Sequence, residues 1–145
     1  MKRTLMRAML AGLFCLAVIS QVSAATAAKR IKVTGEIVDT WCYVTEIMYA
    51  LGTAHHQCAV WCAAGGIPVS ILGDDGKLYV VLKLEGDGTN VANPAILKIQ
   101  THKVTVNGDL FERDGVKYLF VTQVADDQGI VNLTHGEYGI QPFGE

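Results

Sequence analysis

The stretch Ile31-Lys32-Val33-Thr34-Gly35-Glu36-Ile37-Val38-Asp39-Thr40 decides the fold class. Its apolar residues fall on every second position, Ile31 and Val33 and then Ile37 beyond Gly35, which is the period of a β-strand. Outward from it, Ile67–Leu72 reads as a second strand entered through Pro68. Asp74-Asp75-Gly76 is a turn, and Lys77–Leu84 a third strand that completes a hairpin. Gly86-Asp87-Gly88 ends that strand. Asn93-Pro94 then opens a helix, with Asn as N-cap and Pro at the first helical position, and Ala95, Ile96, Leu97 and Ile99 supply its apolar side. Lys103–Phe111 and Val116–Val124, joined by Arg113-Asp114-Gly115, make two more strands. Glycines and a proline after Asp126 predict an irregular tail, with a short strand at Ile130–Leu133.

The predicted order is strand, long insertion, strand, strand, helix, strand, strand. That order implies a mainly β protein: an OB-like five-stranded Greek-key barrel, antiparallel, with its helix between the third and fourth strands. Val33-Thr34-Gly35-Glu36-Ile37-Val38 resembles the first OB strand with its glycine at the bend. Val104-Thr105-Val106-Asn107-Gly108 with Lys117–Val124 resembles the closing hairpin. Over residues 31–125 the chain thus resembles the small exported OB-fold proteins of bacteria. OB-folds serve many functions, so the resemblance implies a scaffold and no activity.

The N-terminus has the three parts of a secretory signal. Lys2, Arg3 and Arg7 are basic, Leu10–Ile19 is apolar and too short to span a membrane, and Ser20–Ala28 is small and polar. The expectation is a signal peptide over residues 1–25 and a single domain over residues 26–145, periplasmic or secreted and not membrane-embedded after cleavage. Of 12 basic and 14 acidic residues, the signal removes three basic ones, leaving 9 against 14 and a net charge of −5. Such an acidic domain is a poor ligand for nucleic acid, whose binding depends on phosphate neutralisation. The partner class expected is another exported protein.

The insertion after the first strand, Trp41–Gly66, concentrates the reactive side chains. It holds Cys42, Cys58 and Cys62, His55 and His56, both tryptophans and Met48. Gly52 breaks it, Thr53 is a candidate N-cap, Ala54–Ala64 reads as a helix, and Gly65-Gly66 stops it. At about 100° per residue, His55, Cys58 and Cys62 share one face of that helix while His56 lies off it. Cys42 is delivered from the end of the first strand. Asp39 beside it either caps a turn or orients a ligating imidazole. Trp41, Tyr43, Tyr49 and Trp61 read as packing over one barrel mouth, and His102 and His135 as solvated.

Three is an odd number of cysteines outside the cytoplasm, so at least one needs a metal, burial, a redox role or a partner chain. A Cys58–Cys62 disulfide is disfavoured, because i, i+4 neighbours on a helix hold their Cβ atoms about 5–6 Å apart and a disulfide needs about 3.5–4.5 Å. Two arrangements stay open. Cys42 could bond to Cys58 or Cys62, making a disulfide-stapled interaction module or an accessory subunit of an exported redox complex. Alternatively, Cys42, Cys58, Cys62 and His55 or His56 could form a four-ligand site for a soft metal ion, copper or zinc. A catalytic thiol is the third class. The spacing Cys58-Ala59-Val60-Trp61-Cys62-Ala63 is not a c-type haem attachment motif, nor a Cys-x-x-Cys redox motif.

Overall fold

The computed structural model describes residues 28–47, 50–84 and 94–134. The elements in chain order are β1 (Lys29–Asp39), α1 (Thr40–Thr45), α2 (Gly52–Ala64), β2 (Val69–Gly73), β3 (Leu78–Leu84), α3 (Pro94–Lys98), β4 (Lys103–Arg113) and β5 (Val116–Asp127). The strands close a barrel in the order β1-β2-β3-β5-β4, and β4 returns to β1. The protein is therefore a mainly β, five-stranded closed barrel with a helical insertion bearing Cys and His between β1 and β2, an architecture compatible with the OB-like expectation. The expected leader over residues 1–25, the Asn93 cap, Met48, Tyr49 and His135 lie outside the described residues.

Why β1 can serve two partners follows from its glycine. Residues 29–36 of β1 pair with β4, and residues 35–39 pair with β2. Gly35 and Glu36 are common to both ladders. A Cβ at Gly35 would sit 2.2 Å from the carbonyl oxygen of Leu72, so only glycine lets the two backbones approach as the strand turns the corner.

Closure differs from the expectation in one respect. Four pairings are antiparallel, but β3 runs parallel to β5. The reason is topological: α3 lies in the connection from β3 to β4, and the β4–β5 hairpin then returns β5 along β3 in the same direction. The tail also differs. β5 continues to Asp127, and Ile130–Leu133 is not a strand; that segment caps α2 instead.

Alternation along the strands fills the interior. Ile37, Ile71, Val104, Val106, Leu119 and Val121 are each at most 2 % exposed and form one core. Full burial of such side chains stabilises by about 1.5–3 kcal/mol apiece. Ile96 of α3 and Ala63 of α2 join the same cluster, so each helix anchors to the barrel by its buried side. Among the described residues no helix is long and apolar enough to cross a membrane.

A candidate metal centre between two short helices

Asp39 ends β1 and begins α1. Its Oδ1 accepts from the Cys42 backbone N–H at 3.0 Å, which is N-cap geometry reaching the third residue of the helix. This bond fixes Cys42 directly over the end of the strand, and Cys42 is 2 % exposed.

The second helix is held at both ends. Its C-terminus closes as a Schellman turn: Gly66 has φ +98°, its N–H donates to the Ala63 carbonyl, and the Ile67 N–H donates to the Cys62 carbonyl. Its N-terminus was expected to be capped by Thr53, and that expectation fails. The N-cap residue is Leu51, which makes no side-chain cap bond. The first amides are satisfied from far away in sequence. Gly52 N–H donates to Glu36 Oε1 at 2.6 Å, Thr53 N–H to the Asn132 carbonyl at 3.0 Å, and Ala54 N–H to Thr134 Oγ1 at 3.0 Å. The Thr53 hydroxyl donates to the Thr134 carbonyl. Asn132 Nδ2 donates to the other Glu36 oxygen at 3.3 Å. Burial raises the Glu36 carboxyl above its ordinary pKa, against the opposing effect of these bonds.

These two anchors bring the predicted side chains together in a specific way. The ligand atoms of Cys42, Cys58 and Cys62 all lie within 4.8 Å of one another. So do those of Asp39, Cys42 and His55. The two triads share Cys42. The expected four-ligand set is thus divided, with His55 grouped with Asp39 and Cys42. His56 points elsewhere: its Nδ1 pairs with the Gln100 carbonyl at 3.0 Å and with Thr101 Oγ1 at 2.9 Å, tying α2 to the turn after α3.

The Cys58 and Cys62 sulfurs are 3.9 Å apart. A disulfide requires about 2.05 Å, whereas two thiolates on one tetrahedral zinc, at about 2.3 Å each, stand about 3.8 Å apart. None of Cys42, Cys58 and Cys62 is in a disulfide. Of the two arrangements left open, the staple from Cys42 to Cys58 or Cys62 is not formed; chain geometry gathers the thiols at ligand spacing and not at bonding distance.

The electrostatics are those of a buried, proton-holding cluster. Burial pushes the Cys42 thiol up to about 11, with the Asp39 charge next in importance and Cys58 after it. Cys62 is raised by burial and then by the neighbouring Asp39 carboxylate. Burial lowers His55, and Asp39 offsets part of that, so the ring is held toward its neutral, ligand-competent form. His55 is 0 % exposed, yet neither ring nitrogen has a hydrogen-bond partner. Of the four buried unpartnered side-chain atoms among the described residues, three belong to His55 and Asp39. Native proteins rarely leave buried polar atoms unpaired without a ligand or water to meet them.

Both tryptophans depart from the expected packing role. Trp41 is 49 % exposed and Trp61 70 %, each next in sequence to a cluster cysteine. His102 is not merely solvated, since its Nδ1 pairs with Asp127 at 2.8 Å. Sequence reasoning missed Glu36, Asn132 and Thr134, which position His55 by holding the start of α2. No local pattern marks them, because their partners lie 16 to 96 residues away. No protein-family model, curated protein or solved structure matches this chain.

Proposed function

We propose that this is an exported protein that binds a soft metal ion, copper or zinc, through the thiolates of Cys42, Cys58 and Cys62. The observation that carries the reading is the convergence of three sulfurs from two helices within 4.8 Å. Thiolates select soft and borderline ions: Cu(I) accepts three sulfurs alone, and Zn²⁺ takes three sulfurs with a fourth ligand to complete its tetrahedron. The orphaned nitrogens of His55 support a ligand at this place, as does the absence of another partner for Asp39 Oδ2. Storage, transfer or structural use of the ion all fit a cluster of this ligand chemistry. Export fits the basic, apolar and small-residue order of the first residues.

The test is metal content and thiol state of protein isolated from its native compartment. Bound copper or zinc, with a sulfur shell at about 2.3 Å for zinc in X-ray absorption, supports the reading. Metal-free protein whose intact mass shows Cys42 joined to Cys58 or Cys62 would overturn it in favour of a stapled interaction module.

A further inference from the structure

We infer that the cluster holds two divalent ions of the zinc class, bridged by the thiolate of Cys42. This rests on the soft-metal reading above and deepens it. The ligand atoms do not form one group of four. They form two triads, one of three sulfurs and one of Asp39, Cys42 and His55, with Cys42 common to both. A thiolate sulfur carries enough lone pairs to bind two ions at once, and zinc takes sulfur, imidazole and carboxylate ligands alike.

Charge balance favours the pair. Three thiolates and the Asp39 carboxylate carry four negative charges in a region where Asp39 is 1 % and Cys42 2 % exposed. One divalent ion on the half-buried Cys58 and Cys62 would leave the charges of Asp39 and Cys42, the two buried members, unbalanced, which is costly without further partners. Two divalent ions bring the cluster to neutrality. Loading then releases the three thiol protons and changes no oxidation state. The inner ion would take Asp39 Oδ2 and a His55 nitrogen, the same atoms that have no hydrogen-bond partner. The outer ion would take Cys58 and Cys62, which are half-buried, so that solvent can complete its coordination.

The probe is Zn²⁺ added to the reduced, metal-free full domain, with bound zinc counted after desalting. Wild type should retain two equivalents. His55→Gln and Asp39→Asn, the latter keeping an acceptor for the Cys42 N–H, should each retain one. If either variant fails to fold, X-ray absorption on the wild type decides. A bridged pair gives about two sulfurs per zinc and zinc–zinc scattering at roughly 3.5–4 Å. A single zinc with three sulfurs and one nitrogen would overturn the bridged pair while leaving the soft-metal reading intact. Two equivalents retained in both folded variants would overturn the assignment to Asp39 and His55. No zinc bound under reducing conditions, with none of copper either, would remove both proposals.

Discussion

Cys42 is the residue on which the site turns, because it belongs to both triads and is fixed by the Asp39 cap. Cys42→Ser should abolish high-affinity metal loading, whereas Cys58→Ser should weaken it and leave the His55 triad intact; titration with a competing chelator checks both. A pH effect follows from the raised thiol. The folded value of about 11 lies above the ordinary 9.0, so the protonated thiol is favoured by the fold. That contribution is fully present below pH 9 and is lost as pH rises through about 11. Metal-free protein should therefore lose thermal stability between pH 9 and 11, and Cys42→Ala should flatten this part of the profile. On the proposed metal reading, affinity should run the other way and rise with pH across the neutral range in a chelator-competition titration, because the ion must displace the protons held on Cys42 and Cys62.

Among the elements, α2 shows where local reading works and where it stops. Its span and its Gly65-Gly66 ending are legible, because helix propensity and a left-handed glycine act within a few residues. The shared face of His55, Cys58 and Cys62 is legible for the same reason, but not their division into two groups, which depends on where β1 and α1 place Asp39 and Cys42. The start is misread because its cap is tertiary. Thr134 lies 80 residues from Ala54, and no spacing rule links them. Thr134→Ala should leave the Ala54 N–H unmet and cost about 1 kcal/mol. That corresponds to a fall in the melting midpoint of roughly 4 °C. It should also weaken metal binding, since the frayed turn carries His55; equal affinity in the variant would show that the cap does not position the ring.

For the whole molecule, the barrel was legible as an order of strands because each strand declares itself by alternation and each turn by its glycine. The parallel β3–β5 ladder was not, because closure depends on residues brought together by the α3 crossover and not on neighbours in sequence. Ile71→Ala, in the fully buried wall of β2, should cost about 2–5 kcal/mol in denaturant unfolding. On the proposed metal reading, the helical insertion should respond to a different lever. An ion that binds only the folded state at 1,000 times its dissociation constant adds about 4 kcal/mol. Chelation should therefore lower the melting temperature of loaded protein, while a reductant alone should leave metal-free protein unchanged.

The placement of the two indoles has an optical consequence. They are the only tryptophans in the chain, at 49 % and 70 % exposure, and each adjoins a cysteine of the cluster. Emission excited at the red edge of their absorption arises from these rings and from nowhere in the barrel. Unfolding, which moves an already hydrated indole into water, should shift that emission little. Filling the thiol cluster alters the charge beside both rings and should change its intensity at constant far-ultraviolet dichroism. Fluorescence is thus a poor thermometer of this barrel and a direct gauge of its cluster.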